Sequence, residues 1–112
     1  MSISFEGVGQ VCATFLGDNL TEGHVVKMKE NGAVGACGAG EAFCGVALCC
    51  KDDACTVQVG GFVTVKYSET APTVGWSGLA ADGKGGVKKA SGGADYLVAD
   101  VDTAAQTVTI ML

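Results

Sequence analysis

Six cysteines and a single histidine are the residues of this chain whose chemistry could define a function. A thiolate becomes a catalytic nucleophile when an imidazole or another base lies beside it. His24, however, stands at the start of an alternating apolar segment with no catalytic motif around it, which is typical of a solvated residue at a strand end. We therefore expect no catalytic residue and no enzymatic activity.

The spacing of the cysteines does not reproduce a zinc site. Structural zinc is usually held by paired ligands in C-x2–4-C knuckles. The spacing in this chain is Cys37-x6-Cys44-x4-Cys49-Cys50-x4-Cys55. We expect no metal ligand and no cofactor-binding residue. A small cytosolic module in which these cysteines converge on a ligand or a metal is the alternative function.

The cysteines are better explained as small apolar residues. In a reducing compartment, cysteine commonly serves as a buried hydrophobic side chain, and disulfides are rare. Those that lie in or beside apolar strand segments are Cys12, Cys44, Cys49, Cys50 and Cys55. A local disulfide between Cys50 and Cys55 is the alternative. These two residues flank the turn Lys51–Ala54 and face each other if the two strands pair closely there.

Two acidic pairs and a glycine-rich segment complete the candidates for a functional site. Asp52 and Asp53 fall in a predicted turn, where aspartate is common. Asp100 and Asp102 share a strand face, but no third oxygen ligand stands nearby, so they are predicted to be a solvated strand end. Residues 35–40, GACGAG, lack the Gly-Lys-Ser/Thr of a phosphate loop and are predicted to be a connection.

The segment Ala42–Val65 predicts the hairpin around which the chain is organised. The apolar run Phe43–Cys50 meets Lys51-Asp52-Asp53 and is followed by the β-branched run Thr56–Val65. Both faces of the first strand are apolar, so we expect both to be covered. A bulge is expected at Gly60-Gly61, where the alternation can change phase.

Short alternating segments recur along the rest of the chain. Extended segments are predicted at Val11–Phe15, His24–Met28, Ala33–Ala36, Tyr96–Asp102 and Thr107–Leu112. Asn31-Gly32 is a strong signal for a type I′ hairpin turn, and the 18 glycines disfavour long helices. The predicted fold is all-β: a compact small β-barrel or barrel-like sandwich of about eight or nine short strands, mostly antiparallel, with no long helix.

Composition restricts the domain organisation and the partners. A chain of 112 residues supports one core, so residues 1–112 are predicted to form a single domain. The net charge of −5 and the absence of arginine argue against nucleic acid. No run approaches the roughly 20 apolar residues of a membrane span, and no signal peptide pattern is present. We expect a protein that is cytoplasmic in the producing cell and does not bind membranes.

An ordered series of turns and alternations runs from Thr21 to the end of the chain. It consists of Glu22-Gly23-x-Val25-Val26, Gly45-Val46-Ala47, Val57-x-Val59-x-Gly61-x-Val63-x-Val65, Val74-Gly75 before Leu79-Ala80-Ala81-Asp82-Gly83, and Val108–Leu112. This order resembles a small family of uncharacterised phage-associated proteins found near capsid genes and, more loosely, the head-decoration proteins of tailed phages. The resemblance implies a barrel-like all-β subunit that binds the outside of a capsid, commonly as a trimer or another symmetric oligomer.

The function we expect is therefore that of a non-enzymatic phage or prophage structural protein. It would decorate or stabilise a capsid shell, with copies of itself (a trimer is favoured) and the shell protein as partners, and it would be part of the virion. Trp76 and Tyr67 are the interface candidates, because aromatic residues are enriched at interface hot spots. Core packing is the competing interpretation for Trp76. The strand Thr107–Leu112 is expected to offer an unpaired edge.

Overall fold

The computed structural model describes residues 10–17 and 20–112, which form β-strands and no helix. The predicted all-β class is therefore confirmed. Residues 1–9 and the predicted turn residues Asp18 and Asn19 lie outside the described residues. The strands are β1 (Val11–Leu16), β2 (Val25–Glu30), β3 (Ala33–Ala36), β4 (Gly45–Lys51), β5 (Ala54–Gly60), β6 (Phe62–Lys66), β7 (Gly75–Ala81), β8 (Val87–Lys89), β9 (Ala94–Asp102) and β10 (Thr107–Met111).

Two sheets divide these strands. The first is a closed barrel in the order β1-β3-β2-β4-β5, and the second is a five-stranded sheet in the order β6-β10-β9-β7-β8. The predicted central hairpin is present as β4 and β5, with Asp52 at a φ of 57° in its turn. The barrel closes through one parallel pair, Leu16 with Ala33, and the amide of Leu16 donates to the carbonyl of Gly32 at 2.9 Å.

Strands β2 and β4 form a wall between two hydrophobic cores. Val25 and Val46 are cross-strand partners and belong to the core beneath the second sheet. Their neighbours Val26 and Ala47 belong to the core inside the barrel. Successive strand side chains point to opposite faces, so this wall is buried on both sides. The prediction that both faces of the first hairpin strand are covered is confirmed here, because Val46 is 1% exposed and Ala47 is fully buried.

A glycine in β4 permits the close approach of β5. A side chain at Gly45 would collide with the backbone oxygen of Gln58, and it would also meet the Val57 side chain at 2.8 Å. Because the obstacle includes backbone, only glycine fits without a shift of the strand. Strands β4 and β5 therefore approach closely at the start of β4.

The chain leaves the barrel and enters the second sheet at Gly61, which has a φ of 86°. The sequence predicted one long strand, Thr56–Val65, with a bulge. The structure instead breaks it at Gly61 into β5 and β6, which belong to different sheets. The amide of Gln58 spans this corner, since its Nε2 donates to the carbonyls of Gly60 (3.0 Å) and Phe62 (2.8 Å).

Other predictions about the second sheet are wrong. The last strand is not an edge, because β10 pairs with β6 on one side and with β9 on the other. The edge strands of this sheet are β6 and β8. Strand β8 was not predicted: it is only three residues long, and its first residue, Val87, is fully buried between glycines and lysines.

We predict that Gln58→Leu lowers the free energy of unfolding by about 1–3 kcal/mol, because it removes the buried amide that bonds both carbonyls at the corner. Urea denaturation followed by circular dichroism measures this loss. Gln10→Leu is the control, since Gln10 is exposed and, among the described residues, its side chain donates to Oε1 of Gln58 and not to a corner carbonyl. Its expected effect is within about 0.5 kcal/mol. Equal losses in the two variants would contradict the role of Gln58.

Candidate functional site

The cysteines do not share one environment. Cys55 is fully buried, Cys37 and Cys44 are partly buried, and Cys12 and Cys49 are exposed. The prediction that cysteine serves mainly as a small buried residue is therefore wrong for Cys12 and Cys49. Both lie on strands whose local alternation turns them away from the barrel core, so proximity to apolar residues in sequence does not mean burial.

One disulfide joins Cys50 to Cys55 across the β4–β5 hairpin. The two residues are direct cross-strand partners, and their Cα atoms are 4.1 Å apart. Such short separations are typical of pairs that do not exchange ladder hydrogen bonds, where the side chains come closest. The structure thus contains the local disulfide that the flanking positions of the turn allowed.

Reduction of this disulfide is expected to lower the free energy of unfolding by about 2 kcal/mol, because the bond closes a short loop in the unfolded chain. Urea titrations with and without a phosphine reductant test this expectation. The variant Cys50→Ala/Cys55→Ala is the control, and its stability is expected not to respond to the reductant. A reductant effect of the same size in that variant would assign the loss to another cause.

No metal site is formed by the described part of the chain, where no group of three or more His, Cys, Asp or Glu residues has metal-binding geometry. The structure separates the cysteines that the alternative function would bring together. Cys50 and Cys55 bond each other, and Cys49 projects to the outside of the barrel. Cys37 lies instead near Cys44 and near Glu41 and Lys27, whose side chains form an ion pair with an N–O distance of 2.5 Å.

A cavity of about 280 Å³ contains His24, Cys37 and Lys84 in its lining. Burial, together with the nearby Glu41 carboxylate and the Cys44 thiol, raises the pKa of Cys37 to about 11. Because the thiolate is the nucleophile, a protonated thiol is poorly reactive at neutral pH. His24 is exposed ahead of β2, and the raised pKa leaves the Cys37 thiol protonated rather than activated at neutral pH.

The raised pKa of Cys37 predicts a pH dependence of stability. The unfolded thiol ionises near pH 9.0 and the folded thiol near 11, so the stability that Cys37 contributes is present below pH 9.0 and is lost as the pH rises towards 11. We expect Cys37→Ser to show a smaller loss of unfolding free energy over this range than the unchanged protein. The exposed Cys12→Ser is the control. Parallel curves for all three proteins would contradict the assignment.

A groove of about 780 Å³ lies where the barrel is closed by its single parallel pair. Its apolar lining includes Leu16, Leu20 and Val34, and its charged lining is Lys27, Lys29, Glu30 and Asp53. Opposite charges are thus present in equal number, and Lys27 is already bonded to Glu41. The charged lining of the groove therefore favours neither an anionic nor a cationic ligand.

The aspartates that the sequence singled out have turn-forming roles or face solvent. Oδ1 of Asp102 accepts hydrogen bonds from the amides of Ala104 and Ala105 at 3.0 Å and shapes the β9–β10 turn.

Asp82, which the sequence placed only in a turn, organises the loop before β8. Partial burial raises its pKa, but hydrogen bonds from the Ser68 hydroxyl and the amides of Lys84 and Gly86 outweigh burial and lower the pKa below its ordinary value.

The outer face of the second sheet carries a row of large apolar side chains across four strands. Phe62 is the cross-strand partner of Met111, Met111 of Leu97, and Leu97 of Trp76. Direct partners in antiparallel strands project to the same face, so these residues stand side by side. Adjacent strands are about 4.8 Å apart, which gives the row a length of about 14 Å. We call Phe62, Met111, Leu97 and Trp76 the apolar row.

Trp76 ends the apolar row and is 69% exposed. Val74, two residues earlier and 65% exposed, extends the apolar surface beyond it. Core packing, the competing interpretation for Trp76, is thus wrong, and its role as an interface residue stays a prediction. Tyr67 is 7% exposed and packs in the core beneath the second sheet, where it forms a parallel bridge with Val87. The expectation that Tyr67 is an exposed contact residue is wrong.

The sequence missed the apolar row because its members are far apart along the chain. Each one occupies an ordinary alternating position in its own strand, and only the register of four strands brings them together. The sequence singles out Trp76 between glycines, so it predicts one contact residue and not a surface.

In comparisons with known proteins, no protein-family model matches the chain and no curated protein is significantly similar to it. Within the part of the chain that the structure describes, there is no helix with the length and apolar character needed to cross a membrane.

Proposed function

We propose that this protein is a non-enzymatic structural protein that decorates or stabilises a particle shell, in the manner of phage or prophage capsid proteins. The observation that carries the proposal is the apolar row with its exposed tryptophan. A contiguous apolar surface on a sheet is characteristic of sites that contact other proteins. The resemblance to phage-associated proteins supplies the kind of partner, which is the outer surface of a capsid.

The arrangement of the two sheets supports a binding role. The closed barrel shields its own strand edges, and the second sheet presents one face that no other strand of the described chain covers. Aromatic residues provide large contact areas at low entropic cost, and they are enriched among the residues that dominate binding energy. Trp76 is thus the residue from which we expect the largest contribution to shell binding.

Self-association is the second part of the proposal, with a trimer as the favoured state. Closed symmetric oligomers are the usual form of soluble assemblies. Strand β10 is paired on both sides, and Val87 of β8 is bridged to Tyr67 and accepts a hydrogen bond from the Ser68 amide at 2.9 Å. The edge strand that remains for pairing between copies is therefore β6. The native mass of the purified protein in solution measures this state: a trimer supports the proposal, and a strict monomer at all concentrations removes self-association from it.

We predict that Trp76→Ser weakens binding to shells at least about tenfold, because truncation of an aromatic hot-spot residue commonly costs about 2 kcal/mol or more. The measurement is co-sedimentation with empty heads assembled from the shell protein of the phage or prophage whose genome carries the chain. Leu16→Ser is the matched control, since Leu16 is 60% exposed but lies on the barrel.

The outcome of this comparison is unambiguous when both variants fold, which circular dichroism establishes. Loss of binding in Trp76→Ser with retention in Leu16→Ser supports the proposal. Equal binding of the unchanged protein and Trp76→Ser would contradict the role of the apolar row. Absence of binding by the unchanged protein would contradict shell decoration itself.

A further inference from the structure

The apolar row is flanked on both sides by carboxylates. On β9, Asp95 precedes Leu97 by two residues and is the cross-strand partner of Gly78, which places it on the face of Trp76. Beyond Leu97 the register shifts at a bulge, so Asp100, the partner of Thr109, returns to the same face as Met111. Asp102, the partner of Thr107, follows on that face. Carboxylates therefore lie about 7 Å to either side of the row.

These carboxylates are not neutralised by cations of the described chain. The ion pairs of the described residues are Lys27 with Glu41 and Lys88 with Glu69, so neither includes Asp95 or Asp100. Both aspartates are exposed. Two lysines project to this face, and neither is paired with Asp95 or Asp100. Lys66 lies at the far corner of β6, opposite Thr107, and its Nζ donates to the carbonyl of Ala105 at 3.5 Å. Lys88, the partner of Ala80 on the edge strand β8, is paired with Glu69. The centre of the face thus combines an apolar row with unpaired negative charge.

This combination specifies the charge of what covers the face. A second copy that packed its own row against this one would bring Asp95 and Asp100 near the same carboxylates, and the chain as a whole carries a net charge of −5. Like charges brought together at an interface are unfavourable and disfavour that partner. A surface with an apolar centre and cations on both sides would complement the face in both respects.

We infer that the outer face of the second sheet binds a protein surface whose apolar centre is flanked by lysine or arginine, and that this partner is not a second copy of the chain. Trp76 and Leu97 supply the apolar contact, and Asp95 and Asp100 select the positive charge. The inference rests on the proposed function, since it states which kind of shell surface this face fits. It also separates the shell contact from self-association, which then uses other surfaces.

Trp76 makes the test direct, because it is the single tryptophan of the chain and lies within the face. The first probe is a short extended peptide that carries leucine and lysine on one face and threonine at the alternate positions. The second probe has glutamate in place of each lysine. Desolvation of Trp76 shifts its fluorescence to shorter wavelength. We expect a saturable blue shift with the lysine peptide, a weaker effect at high salt, and no shift with the glutamate peptide.

The charge requirement is tested with Asp95→Asn/Asp100→Asn, which is expected to bind the lysine peptide about three- to fivefold more weakly, as two exposed ion pairs are lost. The matched control is Asp52→Asn/Asp53→Asn, which makes the same change in net charge at the β4–β5 turn and is expected to leave binding unchanged. If both variants bind the lysine peptide equally weakly, net charge and not the position of Asp95 and Asp100 determines binding, and the inference is overturned.

Two other results would also overturn it. Equal blue shifts with the lysine and glutamate peptides would show that the carboxylates select nothing. A blue shift that grows with protein concentration in the absence of peptide would show that a second copy covers the face. None of these results depends on a shell, so they are distinguishable from a failure of shell decoration in the co-sedimentation experiment.

Discussion

The wall formed by β2 and β4 connects the two halves of this protein. Val25 and Val46 project from one side of the wall, and Val26 and Ala47 project from the other. All four are at most 1% exposed, and burial of a valine side chain contributes about 1.5–3 kcal/mol. The wall is therefore a shared element: the barrel cannot lose it without exposing the core of the second sheet. Gly45 and the corner at Gly61 follow from this constraint, because one lets β5 approach the wall and the other lets the chain pass from one core to the other.

The shared wall also determines which surfaces remain for partners. The barrel strands close on themselves, and the inner face of the second sheet shares a core with the wall. In that core the ring of Tyr96 from β9 stacks on the ring of Phe43, with centroids 4.8 Å apart. Among the described residues, no strand packs on the outer face of the second sheet. In the proposed function this face does the binding, with an apolar row for contact area and carboxylates for selectivity, while the thiols stay protonated, disulfide-bonded or peripheral.

Local signals predicted a large part of the fold. The Asp52-Asp53 turn, the hairpin turn at Asn31-Gly32 and the strands Tyr96–Asp102 and Thr107–Leu112 are determined by alternation and by turn chemistry, which act over a few residues. The pairing of Cys50 with Cys55 was accessible for the same reason, since both flank one tight turn. Strand β8 was not accessible, because three residues between glycines and lysines carry no periodicity.

The binding surface and the boundary between the two sheets could not be predicted from any single segment of the sequence. The break at Gly61 depends on Gln58 and on the presence of a second sheet, and the burial of Tyr67 depends on its bridge to Val87. The apolar row and its flanking carboxylates depend on the register of four strands and on a bulge in β9. Sequence alternation states which residues share a face within a strand, but it does not state which strands are neighbours.

The measurement that most directly tests the central claim is an electron cryomicroscopy reconstruction of a shell decorated with this protein. It identifies the contacting face without any substitution in the chain. The account predicts that the outer face of the second sheet lies against the shell, with Trp76 and Leu97 at the contact and basic residues of the shell opposite Asp95 and Asp100. A reconstruction in which the barrel contacts the shell and Trp76 faces solvent would contradict it.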